Sequence, residues 1–153
     1  MPPVWPGPIH HYTDVDRASI VNIHGTHRIH LGALIVRCQA CLAPPSDVFR
    51  YGSAYAVAYR TMQAQADDIC ASMPYHCGLQ LGKDDVAVDP VVHAPGAYLL
   101  LMPLFVCVLV ESVPPDQHWW ISGRLRSLRK IFGIDRAVAL ASLQYPGIIS
   151  DYA

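Results

Sequence analysis

The chain has 153 residues, of which 52% are hydrophobic and only 15% charged, and its formal net charge is −1. An ordinary soluble domain carries roughly 25% charged residues, so one domain of this size has too little charge to cover its apolar surface, and exposed apolar patches mark interfaces. Near-neutrality excludes any global electrostatic drive toward nucleic acid or a membrane surface.

The segment 1–12 carries four prolines and lacks the basic and apolar regions of a signal peptide. It is expected to be an extended tail, followed by a helical domain over 13–145 and a C-terminal tail over 146–153. The first helix is predicted from Asp14 to about Leu42, with Thr13 as N-cap and Asp14 and Asp16 at the positive end of the dipole. Ile20, Ile23, Leu31, Leu34, Ile35, Cys38 and Leu42 recur at helical spacing, which predicts one core-facing stripe. Gly25 and Gly32 weaken this helix by about 1 kcal/mol each relative to alanine, and Pro44-Pro45 ends it.

A second helix is predicted from Ser46 or Asp47. Val48, Tyr51, Tyr55, Ala58, Met62, Ala66, Ile69 and Met73 step by three or four, and Pro74 should stop it. Gly78 to Pro95 has the glycines, prolines and charges of a long surface loop. A third helix over Gly96–Glu111 is apolar on every side and should be central, with Pro103 kinking it or breaking its ladder. Its pure apolar run, Ala97–Val110, is 14 residues long and contains a proline. A spanning helix needs about 20 such residues, so a buried helix is expected and not a membrane span. The fourth helix opens with Pro115 and closes at Gly133, with Ile121, Leu125, Leu128 and Phe132 as its core face. A short fifth helix over Asp135 to about Leu143 follows. The fold class is all-α, an irregular bundle of about four to five helices with a long loop near residues 78–95.

Few residues have the pattern of reactive chemistry. His24 and His27 share a helical face that could chelate a metal, but no acidic or cysteine ligand completes a site locally, and packed histidines bordering the apolar stripe are the ordinary reading. Cys38-Gln-Ala-Cys41 is a single C-x-x-C inside the same stripe, best explained by two small apolar residues in a packed seam. Cys70 or Cys77 near His76 lacks an acid partner or oxyanion signature for nucleophilic catalysis. No phosphate loop or dinucleotide fingerprint is present. The five cysteines, odd in number and irregular in spacing, do not form a secreted disulfide framework, so the protein is expected to be intracellular and reduced. Hence no catalytic, cofactor or metal residue is assigned.

Arg124, Arg126, Arg129, Lys130 and Arg136 concentrate five of the eleven basic residues in thirteen positions. They form the solvated face of an amphipathic helix without a base-reading set, so no direct sequence-specific DNA binding is expected. Trp119 and Trp120 project about 100° apart, so Trp120 flanks the core face and Trp119 points toward the polar side. Packing of Trp119 over the third helix is the favoured reading, because aromatics dominate core energetics. The alternative is a partner contact made by Trp119 with Arg126, Arg129 and Lys130.

Three stretches, taken in order, carry a resemblance. The first is ADDICASMPYHCG at Ala66–Gly78, followed by the aliphatic run from Gly96 to Val110. The others are PPDQHWWISGRLR at Pro114–Arg126 and Gly133-Ile-Asp-Arg-Ala137. Together they resemble the C-terminal part of the regulatory (middle homology) domain of fungal binuclear-zinc-cluster transcription factors. That resemblance implies an all-helical regulatory domain, a nuclear or cytoplasmic location, and control of transcription, often of secondary-metabolism genes. The family's six-cysteine zinc cluster and longer preceding helical domain have no counterpart here, so promoter recognition is not carried over. The expected role is non-enzymatic, through protein–protein contacts with a homologous regulator or by self-association. The alternative is a small helical enzyme or metal-binding protein of a fungal biosynthetic cluster.

Overall fold

A computed structural model describes residues 4–42, 53–78 and 90–135. These form four helices, α1 (Val15–Leu42), α2 (Ser53–His76), α3 (Pro90–Val108) and α4 (Pro115–Phe132), with no strand among the described residues. The fold is all-α. The expected starts at Ser46 or Asp47, the fifth helix and the C-terminal tail lie outside the described residues.

α1 begins one residue later than expected, and its cap is Asp14 instead of Thr13. The Asp14 carboxylate accepts the backbone N–H of Arg17 at 2.8 Å, while Thr13 donates its hydroxyl to that carboxylate at 2.9 Å. The backbone hydrogen bond from Arg17 holds the Asp14 carboxyl below its ordinary pKa. Proline rules fail twice in the other helices. Pro74 does not stop α2, which continues to His76 and ends where Gly78 turns left-handed at φ 64°. α3 starts at Pro90, inside the expected loop, ends at Val108 and runs through Pro95 and Pro103. A proline removes one intrahelical donor. At Pro74, whose ring is fully buried, packing outweighs that loss.

α3 contacts all three other helices, and α1 also packs on α2. The core gathers Ile69, Met73, Leu100, Leu104, Cys107, Trp120, Ile121, Leu125 and Leu128, all at most 3% exposed. The central position of α3 is as expected, but burial on every side is not: Tyr98, Leu99 and Met102 face outward.

α1 departs furthest from expectation. Its buried residues are Ala18, Ser19, Asn22, Gly25, Ile29 and Gly32, mostly small. Ile20, Ile23, Leu31, Leu34 and Leu42, the expected core stripe, are 48–79% exposed. Cys38 is exposed with them, and Ile35 is only half-buried. The cause is close helix approach: a methyl added at Gly32 would stand 2.5 Å from Met62 Cγ, so only a nearly bare backbone fits against α2 there.

Residues 4–12 form no helix or strand and lie against the bundle. Trp5 tilts onto Trp120 with ring centroids 5.7 Å apart, and its indole N–H donates to Asp67 Oδ1 at 3.2 Å. The backbone N–H of His10 donates to the Ala71 carbonyl at 3.1 Å, and Tyr12 meets Tyr75 edge-on.

Two polar clusters stitch the interior. In one, the Ser72 hydroxyl donates to the Ile69 carbonyl at 2.7 Å, so it must accept from Asn22 Nδ2 at 2.9 Å. The same amide nitrogen lies 3.0 Å from His76 Nε2, which therefore accepts and leaves a neutral imidazole. Burial lowers the pKa of His76, partly opposed by the backbone of Gly96 and Ala18, and burial likewise lowers that of His118. Both groups take up a proton more readily when unfolded, so their contribution is fully present above the ordinary value of 6.5 and is lost as pH falls below it. Stability to denaturant should hold steady above that value and decline at lower pH, by at most about 1.4 kcal/mol per unit for each group. A flat profile between pH 7.5 and 5 would show that neither imidazole is held neutral.

Candidate functional site: the outward face of the closing helix

The second polar cluster sets how α4 sits on the bundle. Pro114 is extended at φ −63°, ψ 155°, Pro115 takes the first helical position, and Gly133 closes the helix at φ 68° with its N–H on the Arg129 carbonyl at 2.8 Å. Gln117, fully buried, donates to Asp67 Oδ1 at 3.0 Å and accepts from Gln63 Nε2 at 2.9 Å. Gln63 also donates to Asp67 at 3.1 Å, so one carboxylate oxygen collects donors from Trp5, α2 and α4. This arrangement was not apparent in the sequence, where Asp67 stands beside Asp68 and Gln117 between Asp116 and His118, so neither looks like a core residue.

With that anchor, Ile121, Leu125 and Leu128 face inward at no more than 1% exposure, and Phe132 is half-buried, as the spacing predicts. Trp120 is 2% exposed, and the Arg124 guanidinium sits 5.6 Å from its ring centroid. Trp119 is 61% exposed, which corrects the expectation that it closes over α3: a half-turn away from Leu128 it has no core to enter. Arg126 and Lys130, seven and eleven residues further on, share its outward face and are exposed. Arg129 lies to one side of that face, its Nε 3.0 Å from Asp135 Oδ1. The structure thus brings Trp119, Arg126 and Lys130 together and directs Arg129 to an ion pair within the chain.

The other candidate chemistry separates. His24 and His27 are exposed on the outer side of α1, and Cys38 and Cys41 are exposed near its end, not packed in a seam. Cys70, Cys77 and Cys107 are buried. Burial pushes the Cys70 and Cys77 thiols up to about 12 and that of Cys107 well above its ordinary value, so they remain protonated and are poor nucleophiles. Alkylation with iodoacetamide in the presence of a chelator should modify Cys38 and Cys41 within minutes. The other three should react only on denaturation; rapid modification of Cys70 or Cys77 in the folded protein would contradict this burial. Among the described residues of one chain, no three histidine, cysteine or acidic side chains converge. No described helix is long and apolar enough to cross a membrane. A shallow depression of about 360 Å³ between α1 and α2 is lined by Arg28, Val57, Arg60 and Gln65 and opens broadly to solvent.

Comparison with known proteins relates this helical chain to a region of a fungal transcription factor. The relative is Transcription factor dbaG of Emericella nidulans, 30% identical over 143 residues, which is 90% of this chain. The chain spans 32% of that relative's length. No family model and no solved structure matches the sequence.

Proposed function

We propose that the chain is a regulatory-type helical domain of the fungal transcription-factor lineage that acts, without catalysis, through protein–protein contacts in transcriptional regulation. The observation that carries this reading is the alignment over 90% of the chain with a fungal transcription factor. The partner face is Trp119 with Arg126 and Lys130, flanked by Arg129: an exposed tryptophan in line with arginine has the composition of an interface hot spot. The partner is a homologous regulator or a second copy, and the setting is the nucleus or cytoplasm, in control of secondary-metabolism genes. Basic side chains without a base-reading set give phosphate attraction at most, so sequence-specific DNA binding is not part of the role.

Titration calorimetry of the purified chain against the corresponding helical region of the Emericella nidulans relative tests this. Saturable binding is expected, weakened about 30-fold or more by Trp119→Ala, in line with a hot-spot loss of ~2 kcal/mol. A chain that neither binds that region nor self-associates in a way that Trp119→Ala weakens would sink the reading.

A further inference from the structure

The outer side of α1 carries a second regularity. Ile20, His24, His27, Leu31, Leu34, Cys38 and Cys41 follow one another at alternating steps of four and three. That alternation draws a seam that drifts by only about 20° every seven residues, the pattern by which two helices pair and supercoil. The seam lies opposite the small-residue face packed on α2, and all seven side chains are exposed.

From His24 to Cys41 the seam is symmetric about the midpoint between Leu31 and Leu34. The histidine pair stands as far before that point as the cysteine pair stands after it, and each pair has the same three-residue spacing. A second copy laid antiparallel on α1 therefore sets Leu31 against Leu34 of the copy, His27 against its Cys38, and His24 against its Cys41. At 1.5 Å rise per residue, a two-histidine, two-cysteine cluster then falls about 10 Å on either side of the centre.

We propose that α1 is the pairing face of a metal-linked antiparallel homodimer, in which His24 and His27 of one copy and Cys38 and Cys41 of the other hold Zn²⁺ at two equivalent sites. Two thiolates and two imidazoles are a tetrahedral zinc set, and soft sulfur with imidazole selects zinc over harder ions. Each site forms with release of two thiol protons to solvent, and two thiolates balance the charge of one Zn²⁺. A parallel pairing would instead gather four imidazoles at one site and four thiolates at the other, leaving opposite unbalanced charges, and would align the helix dipoles side by side. The apolar part of the seam accounts for why metal is needed. Within the paired length, Ile23, Leu31, Leu34 and Leu42 offer at most about 450 Å² per copy, or ~900 Å² for the pair, below the range of specific stable interfaces. This inference does not depend on the α4 face or on any regulatory partner.

The test uses the full chain, reduced and stripped of metal, with Co²⁺ as a spectroscopic probe and sedimentation velocity as the mass readout. One Co²⁺ per chain should bind, with thiolate charge-transfer and tetrahedral d–d absorption, while the mass doubles from 16.8 kDa; Zn²⁺ should bleach the colour and keep the dimer. His24→Ala/His27→Ala and Cys38→Ser/Cys41→Ser should each show no gain in mass with metal and stay colourless. Mixing these two double variants should restore a dimer with half the metal, one ion per pair, because one of its two sites is then intact. A wild-type mass unchanged by metal, colour retained by either variant alone, or a mixture that recovers neither colour nor mass would overturn the proposal.

Discussion

Trp120→Ala should lower the stability of the chain by about 3–5 kcal/mol, whereas Trp119→Ala should change it by less than about 0.5 kcal/mol. The two residues are neighbours of the same type, so the contrast isolates their placement. Trp120 is 2% exposed and touches Trp5 and the Arg124 guanidinium, so truncation opens a cavity and removes the seat of the N-terminal segment. Trp119 is 61% exposed and has little burial to lose. Because a small domain has only 5–15 kcal/mol in total, Trp120→Ala should bring the chain near its unfolding threshold at 37 °C. Urea titrations of both variants decide the matter; equal losses would mean that Trp119 is packed and unavailable to a partner.

Gly96→Ala and Gly25→Ala should shift stability in opposite directions. Both glycines lie within helices, where alanine is intrinsically better by about 1 kcal/mol. At Gly25 the added methyl would meet Gln65 and Ile69 at 3.4 Å or more, ordinary contact, so the variant should gain up to about 1 kcal/mol. At Gly96 it would stand 2.6 Å from the His76 carbonyl oxygen and 3.2 Å from a Val15 methyl. A backbone oxygen at the end of α2 cannot rotate aside as a side chain can. Relieving the overlap must separate α3 from α2, and the net loss should be about 1–3 kcal/mol. Thermal melts of the two variants provide the measurement, and a stabilised Gly96→Ala would refute the close approach.

The parts of this fold that were legible in the sequence are those governed by local chemistry. α4 announces itself through Pro115, Gly133 and the inward run Ile121, Leu125, Leu128, and the structure reproduces each. In α2, the steps Ala58, Met62, Ala66, Ile69 and Met73 name its buried side correctly. α1 could be recognised as a helix but not oriented, because it is apolar around much of its circumference and periodicity then supplies no phase. Its inner side was chosen by how near another backbone could come, which favours Gly25, Gly32 and Ala18 over the larger Ile20 and Leu31. The end of α2 was missed for a related reason: the buried Pro74 breaks a local rule that tertiary packing overrides, while the start of α3 at Pro90 fell in a stretch whose prolines and glycines read as a loop. Within the candidate site, the outward position of Trp119 follows from the inward run Ile121, Leu125 and Leu128, whereas the pairing of Arg129 with Asp135 depends on the left-handed turn at Gly133 beyond the helix, which the pattern of α4 alone does not set.

The shared acceptor at Asp67 has a consequence for how the surface is presented. Sliding α4 by one turn, or rolling it by a residue, would strand the Gln117 amide in an apolar interior, a penalty of about 1–3 kcal/mol. The carboxylate thus works as an index pin for the last helix. It meshes with a single rotational setting, and that setting aims the indole of Trp119 and the two cations beyond it in one fixed direction.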